Sequence, residues 1–263
     1  MEIVISDKTK FKIFSNVFRY LPVFMDNVNI HVTNKGIYMQ GMDMAQVCLF
    51  ELNLTSEWFD KFENKKNFVL GMHCKTFYKV IQCIDDVEQI MTLTYDDGDR
   101  LNIAIESTDN TKVNKYFEIP LIDLDSEILT IPETDYEVDM EINSSSITNY
   151  VTELGIFDEE FTITCEQDKI YMKSKSESGG LRIEMSEDSI LLYAIEEGLV
   201  KIEQTYSLRY VKDICAFSKI TDSVVINLNK GTPMRFHQSF DDVDLFTESK
   251  NHLRFYIAPK IVD

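Results

Sequence analysis

The stretch GIYMQGMDMAQVCLFEL (Gly36–Leu52) decides the fold, because its opening returns later in the same chain. Ile37-Tyr38-Met39 recurs as Ile170-Tyr171-Met172, 133 residues on. With that spacing held and no gaps allowed, Cys48, Phe50 and Leu52 fall on Leu181, Ile183 and Met185. Working outward, Val28, Ile30 and Val32 fall on Phe161, Ile163 and Cys165, and Phe14, Val17, Phe18 and Leu21 on Ile147, Tyr150, Val151 and Leu154. Towards the end of each half, Met91, Leu93 and Tyr95 meet Val224, Ile226 and Leu228, and Asp97-Gly98 meets Lys230-Gly231. Identity is low, but stretches of helical and of strand periodicity agree in one register, which chance seldom produces. The halves are two copies of one fold.

Each copy has the same expected elements. A short strand leads into an amphipathic helix near Lys10–Tyr20 and near Ser146–Leu154; the Ser-rich start Asn143–Ser146 suits N-capping. Alternating strands follow, joined by hairpin signals such as Asn34-Lys35-Gly36. A second helix is expected over about Cys74–Ile84 and Leu208–Phe217, then a hairpin turning at Asp96–Asp99 and Asn229–Thr232. The class is α+β, with a first domain over 1–117 and a second over 136–263. Between them lies a surface connector over 118–135, bracketed by Pro120 and Pro132, carrying Asp123, Asp125 and Glu127 but also apolar Leu121, Leu129 and Ile131.

The five cysteines are odd in number and form no CxxC pair, so free buried thiols are expected rather than a disulfide framework or zinc site. The opening Met-Glu-Ile-Val-Ile-Ser-Asp has no basic or apolar leader character, and apolar runs such as Ile190–Ile195 fall far short of the ~20 residues of a membrane helix. A soluble intracellular protein with no membrane partner is expected.

A net charge of −19 argues against nucleic-acid binding until its distribution is read. Lys8–Leu21 carries +4 through Lys8, Lys10, Lys12 and Arg19; Met72–Ile84 carries +2 through Lys75 and Lys79. Tyr206–Lys219 carries +2 through Arg209, Lys212 and Lys219 against Asp213, and Asn143–Leu154 carries −1. The helices therefore hold +7 and everything else −26. Lys12 and Arg19, two turns apart, share the face opposite Phe11, Phe14 and Phe18, and Lys79 and Lys212 are related by the 133-residue repeat. Such segregation favours a sequence-independent, salt-sensitive contact with phosphates.

The chain resembles the proliferating cell nuclear antigen family. The resemblance is carried by Gly36–Leu52, by LIDLDSEILTIPETDY (Leu121–Tyr136), by YSLRYVKDI (Tyr206–Ile214) and by the ending HLRFYIAPKIVD (His252–Asp263). It implies a DNA-clamp fold of two similar domains, antiparallel sheets outside and four helices lining the inner face. It implies a homotrimeric ring around duplex DNA that tethers DNA polymerase and other replication and repair proteins, is opened by a clamp loader, and works in the nucleus or at a viral replication site. By matching position, the pocket for a short partner peptide would comprise Met42, Gln46, Val47, Leu49, Leu129, Ile131, Pro132, Tyr136, Pro233, Tyr256, Ile257, Ala258, Pro259, Lys260 and Ile261. The subunit interface would pair an edge strand over Lys112–Glu118, with Val113, Tyr116 and Phe117, with one over Gly180–Met185, with Leu181, Arg182 and Ile183.

Departures from the family pattern are specific. Asn149 and Thr152 stand where relatives place arginines, Gln82 where many have a second lysine, and Gln167 where many carry a modified lysine. A weaker direct DNA contact is the expectation, with encirclement supplying most of the retention. Catalysis, a cofactor and a metal are not expected: the four histidines lack metal-type spacing, and Asp96-Asp97-Gly98-Asp99 lacks the later glutamate of a calcium loop. Two other readings stay open, a subunit of a heterotrimeric checkpoint-type clamp and an acidic interaction scaffold that no longer encircles DNA.

Overall fold

A computed structural model describes residues 1–84, 89–107, 113–125, 127–242 and 249–260. The chain divides into two compact units, Met1–Gly41 with Glu51–Leu129 and Met42–Phe50 with Thr130–Asp263.

The first contains β1 (Glu2–Ile5), α1 (Lys8–Tyr20), β2 (Asn27–Thr33), β3 (Gly36–Met42), β4 (Cys48–Thr55), β5 (Lys61–Glu63), β6 (Phe68–His73), α2 (Cys74–Ile81), β7 (Gln89–Thr94), β8 (Arg100–Ser107) and β9 (Lys115–Pro120), with Met42–Phe50 grouping with the second unit. The second contains β10 (Val138–Asn143), α3 (Ser144–Leu154), β11 (Glu160–Cys165), β12 (Lys169–Ser176), β13 (Gly179–Ser186), β14 (Leu192–Ile195), β15 (Ile202–Ser207), α4 (Leu208–Cys215), β16 (Ser223–Leu228), β17 (Met234–Ser239) and β18 (His252–Ile257). Strand order is β5-β1-β7-β8-β9 and β4-β3-β2-β6 in one, β14-β10-β16-β17-β18 and β13-β12-β11-β15 in the other. Adding nine to every strand number converts the first pattern into the second. The repeat read from sequence is a repeat of topology.

The helices form for identifiable reasons. In α1 the buried residues Phe14, Val17 and Phe18 recur at helical spacing, and the Asp7 side chain caps the start by accepting from Lys10 N at 2.9 Å. Phe14 and Phe18 meet Phe77 of α2, the Phe18–Phe77 rings lying edge-on at 4.5 Å, so aromatic contacts lock the helix pair. In the second unit, aliphatic Ile147, Val151 and Leu154 of α3 and Leu208, Val211 and Ile214 of α4 are buried instead.

Helix ends differ from the sequence expectation in ways that backbone bonding explains. Asn143 makes no side-chain cap; the first amide of α3, Ser144 N, donates to Asp222 O at 2.8 Å. α2 stops at Ile81 because Cys83 N and Ile84 N turn back to Val80 O and Ile81 O, and α4 stops at Cys215, with Ala216–Lys219 continuing as a tighter 3-10 turn. The β2–β3 hairpin turns at Asn34-Lys35, with Thr33 opposite Gly36. Gly36 is required there: its φ is 142°, and an added Cβ would lie 2.1 Å from Leu54 O. Glu118, Ile119 and Pro120, read from sequence as connector, finish β9. Four cysteines are buried as expected, but Cys83 is only half-buried. Among the described residues no helix is long and apolar enough to cross a membrane.

Candidate nucleic-acid face, partner pocket and strand edges

The helix cations divide into exposed groups and engaged ones. On α1, Lys8, Lys12 and Arg19 are exposed opposite the buried Phe14–Phe18 face, and among the described residues none has a carboxylate within 4 Å. Lys10 differs. It is half-buried, with Nζ 3.5 Å from Asp60 Oδ1. Burial pushes the Asp60 carboxyl up, but the backbone N–H groups of Ser6 and Asp7 and the Lys10 charge outweigh it and hold the group below its ordinary value. Lys10 thus serves the strand–helix junction. On α2, exposed Lys75 approaches Asp26 at 3.4 Å, whereas exposed Lys79 has no carboxylate partner among the described residues.

In the second unit Arg209, Lys212 and Lys219 are all exposed. α3 supplies no cation: Asn149 and Thr152 are exposed, and the Thr152 hydroxyl donates back to Thr148 O at 2.8 Å. Lys212 reaches across to the C-terminus of α3, where a Cβ added to Gly155 would lie 2.2 Å from its Nζ. The ammonium therefore sits at the negative end of that helix.

The pocket residues predicted for the second unit come from four segments. Met42 ends β3, Leu49 lies in β4, and Gln46 and Val47 lie on the loop between them, shaped by Asp43, whose carboxylate accepts from Ala45 N at 2.9 Å and from Val47 N and Cys48 N at 2.7 Å each. Gln46 takes a left-handed φ of 57°, and Tyr210 of α4 donates its hydroxyl to Asp43 Oδ2 at 2.9 Å. Burial raises the Asp43 carboxyl, yet these four donors leave it below its ordinary value, so the loop is held by a charged acceptor. The C-terminal segment is tied at both ends: Ala258 N donates to Val47 O at 2.9 Å and Lys260 N to Thr205 O at 2.8 Å. The Lys260 ammonium is bound to Glu160. Ile131, Tyr136, Tyr256, Ala258 and Pro259 are half-buried and Pro132 and Pro233 exposed.

Two assigned residues stand apart. Ile257 is fully buried, because strand alternation on β18 turns it into the core while Tyr256 faces out. Leu129 belongs to the first unit, where Gln40 clamps its backbone: Leu129 N donates to Gln40 Oε1 at 2.7 Å and Gln40 Nε2 to Leu129 O at 3.0 Å. Ile261 lies outside the described residues.

β9 and β13 are the last strands of their sheets. On and beside β9, Val113 is 75% exposed and Tyr116 68%, while Phe117 is half-buried; Lys112 lies outside the described residues. On β13, Leu181 and Ile183 are half-buried, and Arg182 is exposed, donating to Glu184 at 3.0 Å and lying over the Tyr171 ring. The counterpart of β9, β18, is not a bare edge. Its outer side carries the start of β4, whose Phe50 ring lies 5.7 Å from Phe255.

Residues 7–128 match the N-terminal domain of proliferating cell nuclear antigen, and residues 130–260 match its C-terminal domain. The chain belongs to the proliferating cell nuclear antigen family. It is 27% identical over 244 residues to proliferating cell nuclear antigen of Chaetomium thermophilum, covering 91% of each chain. It is 26% identical over 231 residues to proliferating cell nuclear antigen 2 of Drosophila melanogaster, covering 88% of this chain and 87% of that one. As a member of this family it is a DNA sliding clamp and processivity factor, and its α+β fold of two similar domains is the clamp fold.

Sequence reading of this clamp missed Asp43, Tyr210 and Arg235. Asp43 carried a usable signal, since an aspartate two residues before a small residue in a strand-to-strand loop often accepts backbone N–H groups. Tyr210 and the stacking of Arg235 on Tyr136 carried none, because the partners Asp43 and Tyr136 lie far away in the chain.

Proposed function

We propose that three copies of the chain close head to tail into a ring around duplex DNA, each β9 edge receiving the β13 edge of the next subunit. The observation that carries this reading is the unequal treatment of equivalent strands. β18 has the start of β4 along its outer side, and β4 is the repeat counterpart of β13. A neighbour's β13 would give β9 the cover that β18 already has, and a heterologous contact that closes after three steps removes both exposed edges. The heterotrimeric reading lacks such support, because β9 and the β13 it needs are both present in one chain type.

The exposed cations Lys8, Lys12, Arg19, Lys79, Arg209, Lys212 and Lys219 would form the DNA-facing surface, with Lys75 contributing less through Asp26 and Lys10 remaining with Asp60. Phosphates would be attracted there and repelled by the rest of a chain of net charge −19. The wall formed by Met42, Val47, Ile131, Pro132, Tyr136, Pro233, Tyr256 and Pro259 would take a short helical-turn motif from polymerases and repair proteins. No chemistry is assigned to the clamp itself. Its working place would be the nucleus, or a replication site if the source is viral.

Sizing by light scattering tests the assembly. The wild-type chain is expected at about 92 kDa, three times the 30.6 kDa subunit, and the Tyr116→Asp/Ile183→Asp variant at the subunit mass. Burying unpaired carboxylates at a strand-pairing interface is costly enough to open it. A wild-type monomer, or a variant that stays trimeric, contradicts the proposed edges.

A further inference from the structure

A polar row crosses the sheet beneath the partner pocket in the second unit. Cross-strand registry sets Asp139 opposite Asn227, Asn227 opposite Arg235, and Arg235 opposite Tyr256. Directly opposed residues share a face, so these four side chains form one line across β10, β16, β17 and β18. The bonds follow the same line. Asn227, 2% exposed, donates its amide to Asp139 and accepts at Oδ1 from Arg235 Nε at 2.8 Å. Burial pushes the Asp139 carboxyl up, while Asn227 and the Arg235 charge pull it back. The guanidinium ends over the Tyr136 ring, its central carbon 4.5 Å from the ring centroid.

Arg235 therefore stands beside both tyrosines assigned to the pocket wall, with Tyr256 next to it on the sheet and Tyr136, just past the connector, stacked over it. The preceding backbone is also tied, as Asn229 Nδ2 donates to Asp135 O at 3.1 Å. A planar guanidinium oriented through Nε suits this position in a way an ammonium does not, because one edge can bond the buried amide while the face stacks on the ring.

We infer that Arg235 is a positioning residue of the partner pocket, oriented by Asn227 and Asp139 to hold Tyr136 over the sheet beside Tyr256 and so to fix the width of the wall that grips the partner's aromatic plug. The inference rests on the pocket reading above for its ligand, but not for the Arg235–Tyr136 contact itself.

The test uses the full chain carrying Arg235→Gln, Arg235→Lys, Tyr136→Leu and the Arg235→Gln/Tyr136→Leu pair. Glutamine keeps a donor for Asn227 but removes the cation, so the buried amide stays bonded and folding is preserved. Two readouts are taken: amide exchange across Ile131–Tyr136, and affinity for a fluorescein-labelled synthetic peptide with one aliphatic and two aromatic residues on a single helical turn. Arg235→Gln is expected to speed exchange in that segment and leave α3 and α4 unchanged. It should weaken the peptide about tenfold, the order a partly desolvated cation–π contact supports, with Arg235→Lys in between. The double variant should bind no worse than Tyr136→Leu alone, since both changes remove one contact. Unchanged exchange in Ile131–Tyr136, or peptide losses that simply add, would overturn the inference. A wild-type chain that ignores the peptide sinks the pocket reading and the gripping role with it, while the exchange result still decides whether Arg235 holds Tyr136.

Discussion

Replacing Lys12, Arg19, Lys79 and Lys212 together by alanine is expected to cut clamp-dependent polymerase processivity by about tenfold or more while the particle keeps its trimer mass. All four side chains are exposed, none has a carboxylate within 4 Å among the described residues, and none contributes to the buried core. Truncation should therefore leave folding nearly untouched, apart from the loss of the Lys212 contact at the end of α3. The electrostatic consequence is larger. If each cation neutralises one phosphate, removing four lowers the slope of log affinity against log salt by about 3.6. It also makes the ring more uniformly anionic, so the duplex loses its preferred place. Processivity measured on primed template at two salt concentrations separates this from a loading defect, because the deficit should narrow as salt rises and screens the contacts that wild type alone makes. Undiminished processivity and an unchanged salt slope would refute the assigned DNA face.

Replacing Ile131 and Tyr256 by alanine is expected to lower affinity for a partner peptide by about a hundredfold or more, with a circular dichroism spectrum close to wild type. Apolar and aromatic anchors in a pocket wall are worth roughly 2 kcal/mol each when truncated, and two of them amount to nearly three decades in Kd. Both residues are only half-buried in the unbound chain, so their removal costs less in the fold than in the complex. Ile257→Ala is the informative contrast. That side chain is fully buried, so its truncation should depress Tm by several degrees. Calorimetric titration and thermal melts on the two variants decide the point. Peptide affinity that survives Ile131→Ala/Tyr256→Ala would place the pocket elsewhere.

The fold was legible because its information is periodic and doubled. Phe14, Val17 and Phe18 mark a helix face by spacing alone, and the same register finds Ile147 and Val151, so each half corroborates the other. Helix ends were less legible, since they depend on distant carbonyls such as Asp222 O, which takes the first amide of α3 in place of a side-chain cap. The candidate site divides along the same line. Exposed cations opposite an apolar stripe can be read locally, and Lys12, Arg19, Lys79 and Lys212 are found exposed. Lys10 could not be told apart from them, because Asp60 lies 50 residues away in the chain. Asp43 and Tyr210 are separated by 167 residues, and no periodicity links them. Ile257 was a different kind of miss. Strand alternation in HLRFYI sends Tyr256 and Ile257 to opposite faces, so only one of them could line a surface pocket.

Encirclement is the central claim, and topology tests it more directly than affinity does. Purified clamp, loaded by its cognate loader onto nicked circular DNA and passed through a sizing column at high salt, should remain with the DNA. Linearising the circle with a single cut should release it within minutes, because a ring held by linkage slides off a free end. Equal retention on circular and linear DNA would mean that the chain holds DNA by contact alone, and would contradict the account.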